Sequence, residues 1–380
     1  MLINLEKKIL NLLLRAFYIF PIKNNRIIFN SMMWSQYSCN PKYISESLLD
    51  TNKYEIIWAF YDVNKFSYLK EKGYKLCKTR TLKYYYYRLT AKVSICNATM
   101  GSEIPHRKKQ LWINTWHGGG GGYKKINYEG TMTYWPRKEM EITDLFCASS
   151  VTSYTNTVVG AFHHIGSYIK GTPRNDMFIT NNDSYYEDVR SFFKINNNTK
   201  ICLYAPTYRD GKDVRHFSKN FDYGISYKTL HHALVERFGG EWMIVVRYHP
   251  RVKDYSIDKA EYIMDGTKYP DMQELMAGSD MLITDYSSSI WDFSFTYRPC
   301  ILFCYDLDEY ITLRGFNKPI QEWGFPIARN NEELEKEIKN WDALKHKRKM
   351  DEMHNINGSF EDGKATERVC SIIKEFCESV

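Results

Sequence analysis

Short apolar runs alternate with amphipathic stretches along most of the chain. In the first half, RIIFN (26–30), YEIIWAF (54–60), YKLCKT (74–79), VSICNA (93–98), QLWINTW (110–116) and DLFCASS (144–150) read as strands. Helical spacing lies between them at 42–49, in LKYYYYRLTAK (82–92) and behind residue 150. A polar interval at 178–198 reads as a linker followed by the first helix of a second block. There KICLYAPT (200–207), EWMIVVRY (241–248), MLIT (281–284) and CILFCY (300–305) read as strands. YKTLHHALVERFG (227–239), DMQELMAGSD (271–280) and SSSIWDFSFTY (287–297) read as helices. NEELEKEIKNWDALKHKRK continues as one exposed charged helix, and ATERVCSIIKEFCESV as a terminal helix. No sequence repeat is visible, yet the alternation predicts two successive α/β blocks, each a parallel, doubly wound sheet. Ligands in such folds lie at the carboxyl ends of the strands.

The first residues follow a different pattern. Leu2, Leu5, Ile9, Leu12, Leu13, Ala16 and Phe17 recur at helical spacing, with Lys7, Lys8 and Arg15 between them. No small-residue cleavage site follows, and no apolar run reaches the roughly 18–20 residues of a membrane span. Two readings stand: a helix lying on an anionic membrane surface, or one docked on the domain.

Composition narrows the field. A chain of 380 residues exceeds one ordinary core, and 43% hydrophobic with 26% charged residues excludes wholesale disorder. The net charge of +7 suits nucleic acid, an anionic membrane face or a phosphorylated substrate, and equally a solvated surface with no partner. The YYYY run (84–87) lies in a helical pattern with few lysines, and no nucleic-acid motif accompanies it, so no nucleic-acid partner is expected. The nine cysteines form no CxxC pair, which argues against a zinc ribbon or a redox motif and for reduced thiols in the cytosol. The adjacent pairs His163–His164 and His231–His232 do not converge on one ligand, and no carboxylate cluster marks a metal site.

Four stretches stand at the expected strand ends. In LITDYSSSIWDF (282–293) a strand gives way to Asp285, Ser287 and Ser288, where backbone amides and hydroxyls suit a phosphate; plain helix capping explains the same residues. In VRYHPR (246–251) Arg247 and His249 share one strand face, as a diphosphate site or as surface charges. YAPTYRD (204–210) contributes Thr207 and Arg209. TWHGGGGGYKK (115–125) carries His117, a side chain suited to taking a proton from a hydroxyl near neutral pH, then five glycines, Lys124 and Lys125. No GK[ST] closes the glycines, so they are not a P-loop. Gly118 is expected to turn the chain, and the middle glycines to supply mobility.

These stretches, with GTPRND (171–176), occur in the order and spacing of the CDP-glycerol glycerophosphotransferase family. WHGGGGGYKK resembles that family's WHG-T-P-x-K-K, and YAPTYR, RYHP and TDYSSSIWDFSFTYRPCILF resemble its later motifs. The departure lies at Gly119–Gly122, where the family has Thr-Pro and a hydrophobic residue. The resemblance spans nearly the whole chain. It implies a GT-B-like α/β fold: two Rossmann-like domains facing a central cleft, behind an amphipathic N-terminal helix. The corresponding divisions are a membrane-surface helix (1–22), an acceptor domain (23–185), a CDP-donor domain (186–365) and a terminal helix (366–380).

The resemblance also implies transfer of glycerol phosphate from CDP-glycerol to a hydroxyl of a lipid-linked saccharide or polyol-phosphate acceptor. CMP would be released, no metal or cofactor used, and the protein held at the cytoplasmic face of the cell membrane. His117 is then the general base and His249 a second catalytic histidine. Gly118, Lys124, Lys125, Arg174, Thr207, Arg209, Arg247, Asp285, Ser287 and Ser288 are the expected substrate contacts. CDP-ribitol as donor, a nucleotide-sugar transferase, and a non-catalytic module binding anionic polymers are the competing readings.

Overall fold

The computed structural model describes residues 2–101, 103–118, 121–126, 140–180, 184–209, 224–249, 252 and 255–379. Gly119, Gly120, Asp210, Pro250 and Arg251 of the motifs above lie outside these. The chain divides into two compact units: Met1–His117, Glu129–Asp176 and Phe360–Val380, then Gly118–Tyr128 and Met177–Ser359.

The first unit holds β1 (Lys23–Phe29), β2 (Glu55–Phe60), β3 (Lys75–Lys78), β4 (Ala91–Cys96), β5 (Leu111–Asn114), β6 (Leu145–Ala148) and β7 (Tyr168–Lys170). They form one sheet in the order β3-β2-β1-β4-β5-β6-β7, every pair parallel. Alternate residues feed opposite faces, as the strand period of two requires. Ile27, Phe29, Ile56, Trp58, Val93 and Ile113 join one core, whereas Ile28, Ile57, Cys96 and Trp112 join the other. Both faces are covered, which is why these strands read as continuous apolar runs.

The second unit holds β8 (Lys200–Ala205), β9 (Trp242–Val246), β10 (Ile263–Asp265), β11 (Met281–Thr284), β12 (Cys300–Phe303) and β13 (Ile327–Ala328). Their order, β10-β9-β8-β11-β12-β13, repeats the first six positions of the first sheet, and all pairs are again parallel. The strand order therefore repeats where the sequence does not. It reverses direction between β1 and β4 and between β8 and β11, the places where such sheets open a crevice.

Four expectations shift. The units part at 176/177 rather than 185/186, and the terminal helix Ala365–Glu378 belongs to the first unit. Its Val369, Ile373 and Cys377, spaced four apart, complete the core over β1. The charged helix is two helices, Asn331–Lys339 and Ala343–Asn357. The break falls where Trp341 turns into the core and the Asp342 side chain caps Lys345 N at 2.9 Å. The glycine stretch, expected in the acceptor domain, lies in the second unit from Gly118 onward.

The N-terminal helix Leu2–Leu14 is docked on the domain along one side. Leu14 is buried, and Leu10 and Phe17 pack on the core beneath, while Leu5, Ile9, Leu12 and Leu13 are each half or more exposed. The YYYY run is a packed helix, Leu82–Thr90, with Tyr84 buried and Arg26 lying over Tyr86 and Tyr87. All nine cysteines are free, and eight are buried.

Candidate active site

In the first unit the chain leaves β5 through Asn114, Thr115, Trp116 and His117. Trp116 takes the left-handed turn here (φ 52°), stabilised by its amide donating to Asn114 Oδ1 at 2.9 Å. Gly118, expected to make this turn, does not adopt a positive φ. The turn aims the half-buried His117 ring so that Nδ1 lies 2.5 Å from the Asn97 carbonyl oxygen. A carbonyl can only accept, so Nδ1 carries the hydrogen, and in the neutral ring Nε2 is the basic nitrogen. Asn97 follows β4 and is itself fixed: its Oδ1 accepts from Met32 N at 2.8 Å and its Nδ2 donates to Ser31 Oγ at 3.0 Å. The β1 and β4 loops at the sheet's reversal thus set the tautomer of a histidine on β5.

Arg174 is buried and donates from Nη1 to the His117 carbonyl at 2.6 Å. Its own amide donates to Asn40 Oδ1 at 2.9 Å, and Asn40 Nδ2 reaches the Trp116 carbonyl at 3.0 Å. Arg174, expected as a substrate contact, clamps the backbone that carries His117. The rest of GTPRND is also spent internally. Thr172 and Asn175 donate to Glu361, and Asp176 accepts from Ala365 N and Thr366 N at the start of the terminal helix.

In the second unit, Asp285 ends β11 at the reversal of the sheet. It is 2% exposed, and donors surround it: Thr207 N at 2.9 Å, Thr207 Oγ1 at 2.6 Å, Tyr286 N at 2.6 Å and Arg209 Nη1 at 2.8 Å. Arg209 also grips Asp306 with Nε at 2.6 Å and Nη2 at 3.0 Å, and Tyr286 Oη donates to the same carboxylate at 2.8 Å. Burial alone would depress the Arg209 pKa, but Asp285 and Asp306 hold it well above its ordinary value. Expected to face substrate, Arg209, Thr207 and Asp285 face one another, latching the loops after β8, β11 and β12.

The remaining expected contacts are placed as follows. Arg247 donates from Nη1 to the carbonyls of Gly266 (2.9 Å) and Tyr269 (2.7 Å), and burial pushes its pKa down. His249 is exposed, its ring 5.8 Å from that of Tyr208. Ser287 Oγ accepts from Ser289 N (3.2 Å) and Ser289 Oγ (2.9 Å), and Ser288 stands at the head of the short helix Ser289–Ser294 without a side-chain capping bond. Lys125 is exposed. Lys124 is half-buried, its ammonium 5.8 Å from the Tyr310 ring. Desolvation, with Arg314 and Arg209 adding to it against Asp285, pulls the Lys124 pKa down to about 8.

Two of the five glycines have definite duties. A Cβ on Gly121 would lie 3.0 Å from the Tyr123 ring and 3.2 Å from Trp291, and Gly122 adopts φ +63°. Close packing at Gly121 and a left-handed turn at Gly122 suit glycine at these two positions.

Among the described residues one group could hold a metal ion: His232, Glu236 and Glu335. It lies on two surface helices, away from every strand end, and the Lys339 ammonium already bridges Glu236 (3.0 Å) and Glu335 (2.8 Å).

The model of the CDP-Glycerol:Poly(glycerophosphate) glycerophosphotransferase family matches residues 12–375. The chain belongs to this family. A glycerophosphotransferase-family relative, the teichoic acid poly(glycerol phosphate) polymerase of Staphylococcus epidermidis, is 29% identical over 93% of this chain and 51% of its own length. The chain thus spans about half the length of that polymerase. The teichoic acid glycerol-phosphate transferase of Staphylococcus aureus is 28% identical, over 92% of each chain. The wall teichoic acid polymerase TagF superposes with a TM-score of 0.80 at 27% identity, covering 94% of this chain and 90% of that one. A histidine-to-asparagine variant of TagF soaked with CDPG superposes equally well. The two parallel sheets are those of a GT-B-like fold.

Proposed function

We propose that this family member transfers glycerol phosphate from CDP-glycerol to a hydroxyl of a lipid-linked saccharide or polyol-phosphate acceptor, in teichoic acid or capsule polymer synthesis. The family match over residues 12–375 carries the reading, supported by glycerol-phosphate relatives and by the CDPG soak of TagF. The acceptor oxygen bonds to the glycerol-bearing phosphorus. The bond from that phosphorus to the bridging oxygen breaks, and CMP leaves with the electron pair. His117 Nε2 receives the acceptor's proton. Arg247, His249, Ser287 and Ser288 spread the charge of the diphosphate, and Lys124 and Lys125 neutralise phosphate on the approaching partner. Positioning and electrostatics carry most of the rate in phosphoryl transfer. Arg174 acts through the His117 backbone, and the Asp285–Arg209–Asp306 latch through the loops it joins.

Purified protein supplied with acceptor and labelled CDP-glycerol, CDP-ribitol or UDP-sugars is expected to release CMP from CDP-glycerol. Preference for CDP-ribitol would assign a ribitol-phosphate transferase, UDP release a sugar transferase, and no release from any donor a binding module.

The same proposal places the protein peripherally on the cytoplasmic face of the membrane. No described helix is long and apolar enough to cross it. The exposed Leu5, Ile9, Leu12 and Leu13, flanked by Lys7, Lys8 and Arg15, suit an anionic surface, where apolar burial and charge attraction add. Because Leu14 is core, truncation confounds anchoring with folding. Replacing Leu5, Ile9, Leu12 and Leu13 together by glutamine is expected to abolish co-sedimentation with anionic vesicles and to spare transfer to a soluble acceptor. Undiminished sedimentation would assign the helix to the fold alone.

A further inference from the structure

We propose that Tyr123 is a positioning residue of the transfer reaction. Seated in a pocket of the second unit, it pins residues 121–124 and fixes the Lys124 ammonium against the Tyr310 ring. This rests on the function proposed above and adds to it a residue that none of the motif chemistry requires.

Tyr123 is 4% exposed. Its ring meets Trp291 edge-on, with centroids 5.4 Å apart, and Trp323 at 6.2 Å. Its hydroxyl donates to Asn357 Oδ1 at the end of the Ala343–Asn357 helix, and Lys318 Nζ lies 3.4 Å from the same hydroxyl and 5.0 Å from the ring centre. The backbone on either side is strapped down as well. Asn317 N donates to the Tyr123 carbonyl at 2.5 Å, Asn317 Nδ2 donates to the Gly122 carbonyl at 2.9 Å, and Lys124 forms an antiparallel bridge with Phe316.

This is more anchoring than a connecting loop needs. A tyrosine buried with its hydroxyl satisfied is a strong point attachment, since the ring contributes apolar area and the oxygen contributes direction. The residues around it explain the neighbouring glycines. A Cβ on Gly121 would crowd the Tyr123 ring and Trp291, and Gly122 turns left-handed as the chain enters the pocket, with Lys124 leaving toward Tyr310. Lys124, proposed above to neutralise phosphate on the approaching partner, follows the tyrosine directly. A cation held by its pinned neighbour samples fewer positions, and misplacement by about 1 Å at a reacting centre costs on the order of a hundredfold in rate.

Three variants test the pin: Tyr123→Ala empties the pocket, Tyr123→Phe keeps the ring and drops the hydroxyl bond, and Gly121→Val crowds the Tyr123 ring and Trp291 from the loop side while leaving both side chains in place. Tyr123→Ala and Gly121→Val are expected to lower kcat by about ten- to a hundredfold with CDP-glycerol affinity little changed, and Tyr123→Phe to restore most of the loss. Trypsin cleavage after Lys124 in the native protein is expected to speed up in the same two variants, a readout that a general loss of packing far from the loop would not give. Should Tyr123→Ala fail to fold, Gly121→Val and Tyr123→Phe decide. Wild-type kcat and wild-type trypsin resistance in Gly121→Val, beside an active parent enzyme, would overturn the pin. A parent enzyme that releases no CMP overturns the proposed function instead.

Discussion

His117→Ala is expected to reduce turnover by about 10²–10⁴-fold while CDP-glycerol still binds, because a positioned general base is worth that much and the proposed donor contacts lie on other strands. The geometry adds a sharper comparison. His117→Asn places an amide nitrogen where Nδ1 stood and can still donate to the Asn97 carbonyl, but it has no basic nitrogen to offer the acceptor. If the ring serves only to satisfy Asn97, the asparagine variant recovers activity that alanine loses. If Nε2 takes the proton, both variants are equally slow. Steady-state CMP release, with CDP-glycerol binding measured separately by calorimetry, distinguishes the two. Equal slowing with intact binding is the expected result, and recovery in the asparagine variant would remove His117 from the chemistry.

The strands that build the site were legible because a sheet covered on both faces leaves an unbroken apolar run. The edge strands β7, β10 and β13 were not, since two or three residues at a sheet margin bury too little to mark the sequence. His117 stood out by residue type, but its tautomer is set by a backbone carbonyl, and a carbonyl has no sequence signature. Asp306 follows an apolar strand as Asp285 does, so its place at a strand end was a usable signal. What no local pattern supplied was the pairing: Arg209 meets Asp306 and Tyr123 meets Asn357 across long stretches of chain. The same limit explains the glycines. Composition reported backbone freedom, whereas the need at Gly121 comes from Trp291, which is distant in sequence.

Asp285→Asn is expected to destabilise the second unit by about 3 kcal/mol, the lower end of the range for removing one partner of a buried ion pair, because Asp306 still faces Arg209. The argument is one of donors and acceptors. Asp285 receives Thr207 N, Thr207 Oγ1, Tyr286 N and Arg209, all of them donors in this arrangement. An asparagine presents one acceptor oxygen and one amino group, so at least one of these donors would meet another donor in a site excluded from water. A carboxylate so enclosed is also a poor neighbour for a diphosphate, which like charge would repel; its conservative variant should therefore injure the fold before it injures binding. In thermal unfolding the loss corresponds to a fall in Tm of about 6–12 °C for a unit of this size. The double variant with Arg209→Leu should be less destabilised than the sum of the two single variants, because each removes a charge that the other leaves stranded. An Asp285→Asn protein with parental Tm and weakened CDP-glycerol affinity would show that the carboxylate faces substrate after all, and that the latch is incidental.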